Sequence, residues 1–253
     1  MWSLGDYTEV ANLLEPAAIK LVRACGLESG TSVLDIAAGN GNFALAAATR
    51  GASVVASDLT PRMLELGRAR SAAAGVEIDW REGDAEALPF PDASFEVVAS
   101  VFGAIFAPRP ELMAQEMFRV CREGGLVAMA NYSWAGFLGE YAKILARYSN
   151  PAPVPLPSPF EWGDAAVIRQ RLGHLASEIE VRPETLTMSF ASVEAGIEMW
   201  ERTNAPTIAI RTMLPPERYA EFRTQAVELM REANRARRGL ELESDYVMVL
   251  ARK

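Results

Sequence analysis

Between residues 32 and 131 the sequence alternates short β-branched runs with helix-like segments, and this pattern constrains the fold most. The β-branched runs are VLDIA, SVVASD, VEIDW, FEVVAS and LVAMAN. Such alternation predicts a parallel sheet with helices on both faces. Thr60 and Pro61 mark the start of one helix, and Gly51 and Gly75 follow the ends of two others. We therefore expect an α/β fold with a doubly wound, mostly parallel sheet.

A glycine-rich turn follows the first of these strands. The strand is expected to end in Asp35, and the turn AAGNGN places Gly39 and Gly41 ahead of a helix, where backbone can approach a ligand closely. With Ala44, these glycines also fit the dinucleotide pattern G-x-G-x-x-A. A carboxylate beside the turn would repel a pyrophosphate, whereas it would attract the sulfonium and ammonium groups of S-adenosylmethionine. Asp35 therefore favours S-adenosylmethionine, with a plain turn-capping role as the alternative.

Two further acidic residues follow strands. Asp58 ends the second strand, at the distance from the glycine turn where an acid meets ribose hydroxyls. Both ligand classes need that contact, so it does not separate them. Asp84, after the third strand, is placed to accept a hydrogen bond from an adenine amino group, and a plain acidic loop residue is the alternative. Because Asp58 faces an open cleft in this interpretation, we expect its replacement to leave thermal stability nearly unchanged.

Four segments together resemble a known family: VLDIAAGNGN, ASDLTPRMLELGRAR, GDAEALPFPDASFEVVAS and RVCREGGLVAMANY. In order and spacing they are similar to class I S-adenosylmethionine-dependent methyltransferases, in particular the ubiquinone/menaquinone-biosynthesis type. The resemblance covers residues 32–132 and implies a seven-stranded sheet of order 3-2-1-4-5-7-6 with an antiparallel last strand. It also implies a set of cofactor contacts: Asp35, Gly39 and Gly41 at the methionine end, Asp58 at the ribose, Leu59 at the adenine face, Asp84 and Ala85 at the adenine edge, and Ser100 below the methyl donor.

Two more residues are assigned to the cofactor site. The family pattern has glycine where this chain has Ala37, and the extra methyl group fits if the backbone φ there is negative. Tyr7 is expected to approach the donor site, because GDY precedes a helical stretch rather than a polar leader.

The acceptor side is less defined. Methyltransferases of this fold that act on DNA or RNA amino groups carry an Asn/Asp-Pro-Pro-aromatic box after the fourth strand, and this chain has SVFG there. Seven side chains are candidates for an apolar pocket, with core packing as the alternative for each: Tyr7, Phe102, Trp134, Phe137, Trp162, Met199 and Trp200. His174, the only histidine, is the candidate general base. Methyl transfer from sulfonium does not require a base, because it is an in-line displacement.

Charge and cysteine usage exclude several partner classes. The formal net charge of -8 disfavours nucleic acid and anionic lipid. Cys25 and Cys121 have neither disulfide nor metal-ligand spacing. The longest uncharged apolar run, residues 97–107, is shorter than the about 20 residues of a membrane span. We expect a cytoplasmic protein without metal, nucleic acid or membrane partners, and the oligomeric state stays open.

Downstream of residue 131 the pattern changes, beginning with a helix-like stretch and the proline-rich run SNPAPVPLPSP. The remaining elements are expected to be a helix over 164–172, a strand over 179–190, two helices of which the second spans 215–238, and a strand in DYVMVLARK. Four arginines, Arg231, Arg235, Arg237 and Arg238, are expected to close the 215–238 helix.

We expect a single domain over residues 1–253. Within it, residues 30–132 form the cofactor-binding half, and residues 133–178 and 192–240 are insertions that cap the acceptor side. The helices over 192–238 are predicted to form a lid above the methyl donor.

The leading functional hypothesis is methyl transfer to an oxygen, nitrogen or carbon nucleophile of a small, partly apolar metabolite. One alternative is a nicotinamide-dependent oxidoreductase that uses the GNGNFA turn, disfavoured by Asp35 and by the lack of a Tyr-x-x-x-Lys pair. Another is a non-catalytic S-adenosylmethionine sensor, for which Ala37 and the lack of a clear base leave room.

Overall fold

The structure, a computed structural model, describes residues 7–149 and 156–253, with side chains from Thr8 onward. Seven strands form one sheet. They are β1 (Ser32–Ile36), β2 (Ser53–Asp58), β3 (Asp79–Glu82), β4 (Phe95–Val101), β5 (Cys121–Gly136), β6 (Glu178–Phe190) and β7 (Leu240–Arg252). Their order is β3-β2-β1-β4-β5-β7-β6, and β7 runs antiparallel to both of its neighbours. The expected strand order and the doubly wound α/β fold are therefore confirmed.

Nine α-helices accompany the sheet in the part of the chain that the structure describes. They are α1 (Tyr7–Ala24), α2 (Asn42–Ala48), α3 (Pro61–Ala74), α4 (Pro110–Val120), α5 (Phe137–Tyr148), α6 (Ala165–Leu172), α7 (Val193–Thr203), α8 (Ala205–Met213) and α9 (Pro216–Ala233). Two 3-10 turns, Ala104–Phe106 and Pro159–Gly163, lie between them. None of the described helices is long and apolar enough to cross a membrane.

The core has two layers, one on each face of the sheet. Along β5, Ala128 and Ala130 join the layer under α1, α2, α5 and α7–α9, whereas Val127 and Met129 join the layer under α4 and α6. This alternation follows from the two-residue period of a strand buried on both faces. Because β1 is parallel to both of its neighbours, β2 and β4, the turns after these three strands all emerge at one carboxyl edge of the sheet.

The spacing of Met113, Met117, Val120 and Cys121 predicts a helix over 110–122, and the end of this helix, α4, differs in the structure. Met113, Met117 and Val120 are buried against the sheet as expected. Cys121, however, has extended backbone and pairs with Phe95, so it begins β5 instead of ending the helix.

The helices between β6 and β7 also differ, since there are three rather than two. Asn204 ends α7 and its side chain caps α8 by accepting from the Thr207 amide. Farther along, α9 ends at Ala233 because the Asn234 side chain accepts from the amides of Ala236 and Glu241. The arginines at 235, 237 and 238 therefore lie beyond the helix and do not close it, contrary to the expectation.

Candidate functional site

The turn after β1 contains three residues with positive φ: Ala37 at 50°, Gly39 at 56° and Gly41 at 90°. The negative φ that would let the methyl group of Ala37 fit without strain is therefore not found. The turn is fixed from the neighbouring strand, because the Ala38 amide donates to the carbonyl of Ser57 at 3.0 Å. A left-handed conformation costs an alanine about 1–2 kcal/mol, so the sheet contacts hold this residue in a strained state.

Two glycines permit close contacts around this turn. A Cβ on Gly41 would lie 2.4 Å from the Trp80 ring, so Gly41 makes room for a buried indole. A Cβ on Gly103, in the turn after β4, would lie 2.3 Å from the carbonyl oxygen of Ala37. Gly103 therefore lets the β1 and β4 turns touch. The SVFG segment contains this glycine, but its importance depends on a partner 66 residues away in the sequence.

Asp58 ties the turn to the end of β2. Its two carboxylate oxygens accept from the amides of Gly39 and Thr60, each at 2.8 Å. The residue is buried, and burial raises its pKa, while the hydrogen bonds from Thr60 and Gly39 oppose that rise. Each oxygen keeps a second lone pair, so the carboxylate can accept further hydrogen bonds.

Asp35 is fully enclosed below the same turn. Its Oδ2 accepts from the Ala44 amide at 3.0 Å, which caps the start of α2. Burial raises the pKa of Asp35 to about 8; the hydrogen bond from Ala44 lowers it and the nearby Asp58 raises it further. The turn-capping alternative is therefore part of its role, and a buried acid without a cationic partner stays protonated at neutral pH.

Three cavities meet at this edge. The first, the strand-edge cavity, has a volume of about 180 Å³. Its wall contains six of the expected cofactor residues: Ala37, Gly39, Asp58, Leu59, Asp84 and Ala85. Leu59 is 62% exposed, as a side chain that offers an apolar face to a ligand would be.

The second, the Asn40 cavity, is small, about 30 Å³, and is lined by Asp35, Asn40 and Asn42 among others. It shares Ala37 and Gly103 with the strand-edge cavity. Among the described residues, neither cavity has a lysine, arginine or histidine in its wall, whereas together they contain three aspartates. This donor set fits a cationic sulfonium ligand and does not fit a pyrophosphate.

The third, the apolar cavity, has a volume of about 390 Å³. Residues of α1, α5, α7 and α8 form its walls, and it shares Phe102 and Phe106 with the strand-edge cavity. As far as the chain is described, no charged side chain lines it. Part of the wall is a stack of rings in which the centroids of Phe102 and Tyr132 are 4.4 Å apart and those of Tyr132 and Phe160 are 5.5 Å apart.

The remaining aromatic candidates divide between this wall and the core. Trp200 lines the apolar cavity, and its Nε1 is buried without a hydrogen-bond partner among the described residues. Trp134 extends the stack by packing on Phe160. The candidates Phe137, Trp162 and Met199 are buried in the core and line none of the three cavities.

Ser100 and His174 have different positions from those expected, and the expectation for Tyr7 is not tested. Ser100 is buried and its Oγ accepts from the Ala104 amide at 2.9 Å, so it shapes the turn beside the cavities without lining them. His174 is exposed in the turn before β6, at the opposite edge of the sheet from the cavities, because β6 runs parallel to β5. Because His174 lies at the edge of the sheet opposite the cavities, it cannot act there as the general base. The side chain of Tyr7 lies outside the described residues.

The cap helices surround the apolar cavity rather than the strand-edge cavity. Trp200, Thr203 and Asn204 from the end of α7, with the start of α8, line the former, and no residue of 192–238 lines the latter. The cap therefore covers the space beside the strand-edge cavity, and α9 supports it from behind through Phe222 and Met230 in the core.

Comparison with known proteins relates this geometry to a family. Residues 33–125 match the model of a methyltransferase domain. An uncharacterized protein of Mycobacterium tuberculosis is 39% identical over 236 residues, which are 92% of this chain and 86% of that protein. The ubiquinone/menaquinone biosynthesis C-methyltransferase of Ectopseudomonas mendocina is 33% identical over 183 residues, 70% of this chain and 69% of that protein.

Solved structures agree on the fold. A putative methyltransferase from Bacillus halodurans superposes with a TM-score of 0.65 at 22% identity, covering 94% of this chain and 99% of that one. Residues 33–125, which match the methyltransferase domain model, contain the glycine turn, Asp35 and Asp58 near the ends of β1 and β2, and Asp84 after β3. Since the relatedness extends over two thirds of both this chain and a named methyltransferase, the chain belongs to the class I S-adenosylmethionine-dependent methyltransferases.

Proposed function

We propose that this enzyme methylates a small, uncharged and largely apolar molecule bound in the apolar cavity. The observation that carries the proposal is that this cavity adjoins the strand-edge cavity at Phe102 and Phe106 and has no charged side chain among its described lining residues. An anionic or cationic acceptor would lose its hydration there without a compensating ion pair. An acceptor with an apolar body gains about 25 cal/mol for each Å² that it buries.

On the cofactor side, each residue has a proposed role. Asp58 accepts hydrogen bonds from the ribose hydroxyls, Leu59 packs on the adenine, and Asp84 with Ala85 contacts the adenine edge. These residues share the wall of one cavity, which supports the assignment. Asp35 supplies negative charge at the amino-acid end, and Ser100 acts indirectly by holding the turn at Ala104.

When bound, S-adenosylmethionine supplies a methyl group on a positively charged sulfur. The protein orients the acceptor, excludes water and keeps the two binding spaces in contact, which are the main contributions to an in-line displacement. No aspartate, glutamate, lysine or histidine lines the apolar cavity within the described residues. The proposal therefore assigns no general base: a neutral oxygen or nitrogen attacks through its lone pair, a carbon attacks through an electron-rich double bond, and the proton released from the acceptor passes to solvent.

Trp200 is the proposed hydrogen-bond donor to the acceptor. Its buried Nε1 has no partner among the described residues, and a buried donor without a partner costs about 1–3 kcal/mol. An oxygen atom on the acceptor would remove that cost. The acidic surface argues against a nucleic-acid acceptor, and a cytoplasmic location remains a prediction.

Calorimetry followed by a methyl-transfer screen tests the proposal. We expect binding of S-adenosylmethionine and S-adenosylhomocysteine but not of NAD, and turnover with neutral aromatic or alicyclic metabolites rather than with phosphorylated or carboxylated ones. Binding of NAD alone would favour the oxidoreductase. Cofactor binding without any turnover would favour the sensor.

A pair of variants on α5 connects turnover to the apolar cavity. Ala142 lines the cavity, whereas Arg147 is exposed on the same helix and does not line it. Ala142→Phe should reduce methyl transfer at least tenfold with cofactor affinity unchanged, since the ring fills acceptor space. Arg147→Phe, which adds the same ring outside the cavity, should retain activity. Equal activity of the two variants would contradict the assignment of the acceptor site.

A further inference from the structure

An arginine outside the cavities fixes the orientation of Asn40. Nη1 of Arg70, on α3, donates to the carbonyl oxygen of Asn40 at 3.0 Å, to its Oδ1 at 2.8 Å and to Oδ1 of Asn42 at 2.9 Å. A guanidinium group only donates hydrogen bonds. The side-chain oxygen of Asn40 must therefore face Arg70, and its Nδ2 must face away from it.

The Nδ2 of Asn40 is buried and has no hydrogen-bond partner among the described residues. The residue as a whole is 2% exposed. Leaving such a donor unsatisfied costs about 1–3 kcal/mol, and most buried polar atoms avoid that cost. This unsatisfied donor belongs to a residue between the two glycines of the cofactor turn, which points to a ligand as the missing hydrogen-bond partner.

Asn40 also has the right neighbours to bind a ligand. It lines the Asn40 cavity together with Asp35 and Asn42. The Nδ2 of Asn42 is already used, because it donates to the carbonyl oxygen of Ala11 at 2.6 Å. Asp35, once ionised, only accepts. Asn40 is therefore the uncommitted side-chain donor in the described wall of this cavity, beside an acid that can accept.

We infer that Asn40 donates through Nδ2 to the α-carboxylate of the cofactor's amino-acid end, and that Arg70 is a positioning residue that holds the amide in this orientation. The inference rests on the proposed function, because it requires S-adenosylmethionine in the adjoining cavity. Asp35 and Asn40 then divide the amino-acid end between them, the acid facing its ammonium group and the amide facing its carboxylate. The positive charge of Arg70 behind the amide further favours an anion.

The test compares two ligands that differ only in this carboxylate. Calorimetric titration of the full chain with S-adenosylmethionine and with decarboxylated S-adenosylmethionine gives two dissociation constants for each variant. Asn40→Asp keeps the shape of the side chain, removes its donor and adds a negative charge. We expect it to weaken S-adenosylmethionine binding about 10- to 100-fold, the range for a lost hydrogen bond to a charged group. Affinity for the decarboxylated ligand should stay within about twofold.

Arg70→Met tests the positioning role and also serves if Asn40→Asp does not fold. It frees the amide to rotate, so we expect a smaller loss, about 3- to 10-fold, again confined to the carboxylated ligand. Glu15→Gln is the matched control. Glu15 approaches Arg70 at 3.9 Å from a largely exposed position, so its loss leaves the bonds between Arg70 and Asn40 in place and should change neither affinity.

Equal losses for both ligands in Asn40→Asp would overturn the inference and reduce Asn40 to a support of the turn. Equal affinity of the wild-type protein for both ligands would also overturn it, while leaving the proposed function intact. If the wild-type protein bound neither ligand, the proposed function itself would fail.

Discussion

The backbone amide of Gly39 donates to Oδ2 of Asp58 at 2.8 Å, which joins the glycine turn to the end of the neighbouring strand. The other oxygen of Asp58 accepts from the Thr60 amide at the start of α3. Asp58 lines the strand-edge cavity, as the sequence-based interpretation expects, but the two amides that it holds argue against a negligible effect of its replacement on thermal stability. One carboxylate both shapes the site and is proposed to contact the ribose.

Asp58→Ala should consequently affect binding and stability together. We expect cofactor affinity to fall about 100-fold through loss of two hydrogen bonds to a charged acceptor. The unfolding free energy should fall by about 2 kcal/mol, because two amides lose their partner. Asp58→Asn keeps one oxygen acceptor, so its cofactor affinity and its unfolding free energy should both fall less than those of Asp58→Ala. Calorimetry and urea denaturation measure the two quantities, and an unchanged denaturation midpoint in Asp58→Ala would show that the two amides find other partners.

Asp35 should make stability depend on pH. Burial raises its pKa to about 8 in the folded chain, whereas the unfolded value is about 3.9. Between these values the folded state binds more protons than the unfolded state, so this residue's contribution to stability is present at low pH and is lost as pH rises to 8. The slope is at most about 1.4 kcal/mol per pH unit for one proton.

The measurement is urea denaturation of the wild-type protein and Asp35→Asn at pH 5, 6, 7 and 8. Asparagine keeps an oxygen that can accept from Ala44 but does not titrate. The wild-type unfolding free energy should therefore fall with pH relative to that of the variant. Parallel curves for the two proteins would mean that Asp35 is already ionised in the folded state.

Replacing Ala37 with glycine should stabilise the fold, whereas replacing Gly103 with alanine should destabilise it. Ala37→Gly removes the left-handed strain but adds backbone entropy to the unfolded chain, so we expect a net gain of up to about 1 kcal/mol. Gly103→Ala places a methyl group 2.3 Å from the Ala37 carbonyl oxygen and should destabilise the fold by about 1–3 kcal/mol. Thermal denaturation of the two variants measures both changes in stability. A stable Gly103→Ala protein with normal cofactor binding would show that the two turns can separate.

The cap should respond to the acceptor more than to the cofactor. α7 and α8 line the apolar cavity, whereas α9 does not. Amide exchange over residues 193–213 should slow about tenfold or more when an acceptor is added to the cofactor complex, with a smaller change from cofactor alone. The α9 helix is the internal reference. Equal protection of all three helices from amide exchange by cofactor alone would instead support the lid over the methyl donor that the sequence predicts.

Trp200→Phe tests the proposed donor to the acceptor. The ring keeps most of its apolar contacts but loses Nε1, so KM for an oxygen-bearing acceptor should rise about 10-fold with cofactor affinity unchanged. An acceptor analogue that lacks the oxygen should not discriminate between the two proteins. If KM rises equally for both acceptors, Trp200 contributes only packing.

The sequence predicts the sheet well because the relevant signals are local. Strand runs, helix starts at Thr60 and Pro61, and acids near strand ends each depend on a few neighbouring residues, and they predict the alternation of strands and helices. The strand order was implied by the resemblance to the methyltransferase family and not by these local signals. The glycine turn was likewise placed correctly. The contacts around this turn were not predictable, since Gly41 accommodates Trp80, and Gly103 in the turn after β4 accommodates Ala37, across long separations in sequence.

Features that depend on tertiary contacts were missed for the same reason. Ala37 has positive φ in a turn that is held by the hydrogen bond from Ala38 to Ser57 of β2 and lies against Gly103 after β4, and no local pattern reveals these contacts. His174 is a candidate general base in the sequence because it is the only histidine. The sequence does not show at which edge of the sheet its turn lies. The orientation of Asn40 depends on Arg70, which belongs to a different helix.

Phe190 and Leu240 are register partners at the ends of β6 and β7, so the whole cap leaves the sheet and returns to it at one point. The entropy of closing such a loop changes slowly with its length, by about 0.6 kcal/mol for each doubling. Evolution can therefore lengthen, shorten or exchange residues 191–239 without moving the strands that hold the cofactor turn. A chimera joined at these two residues should therefore change the part of the acceptor wall that α7 and α8 supply, while α1 and α5 continue to supply the rest.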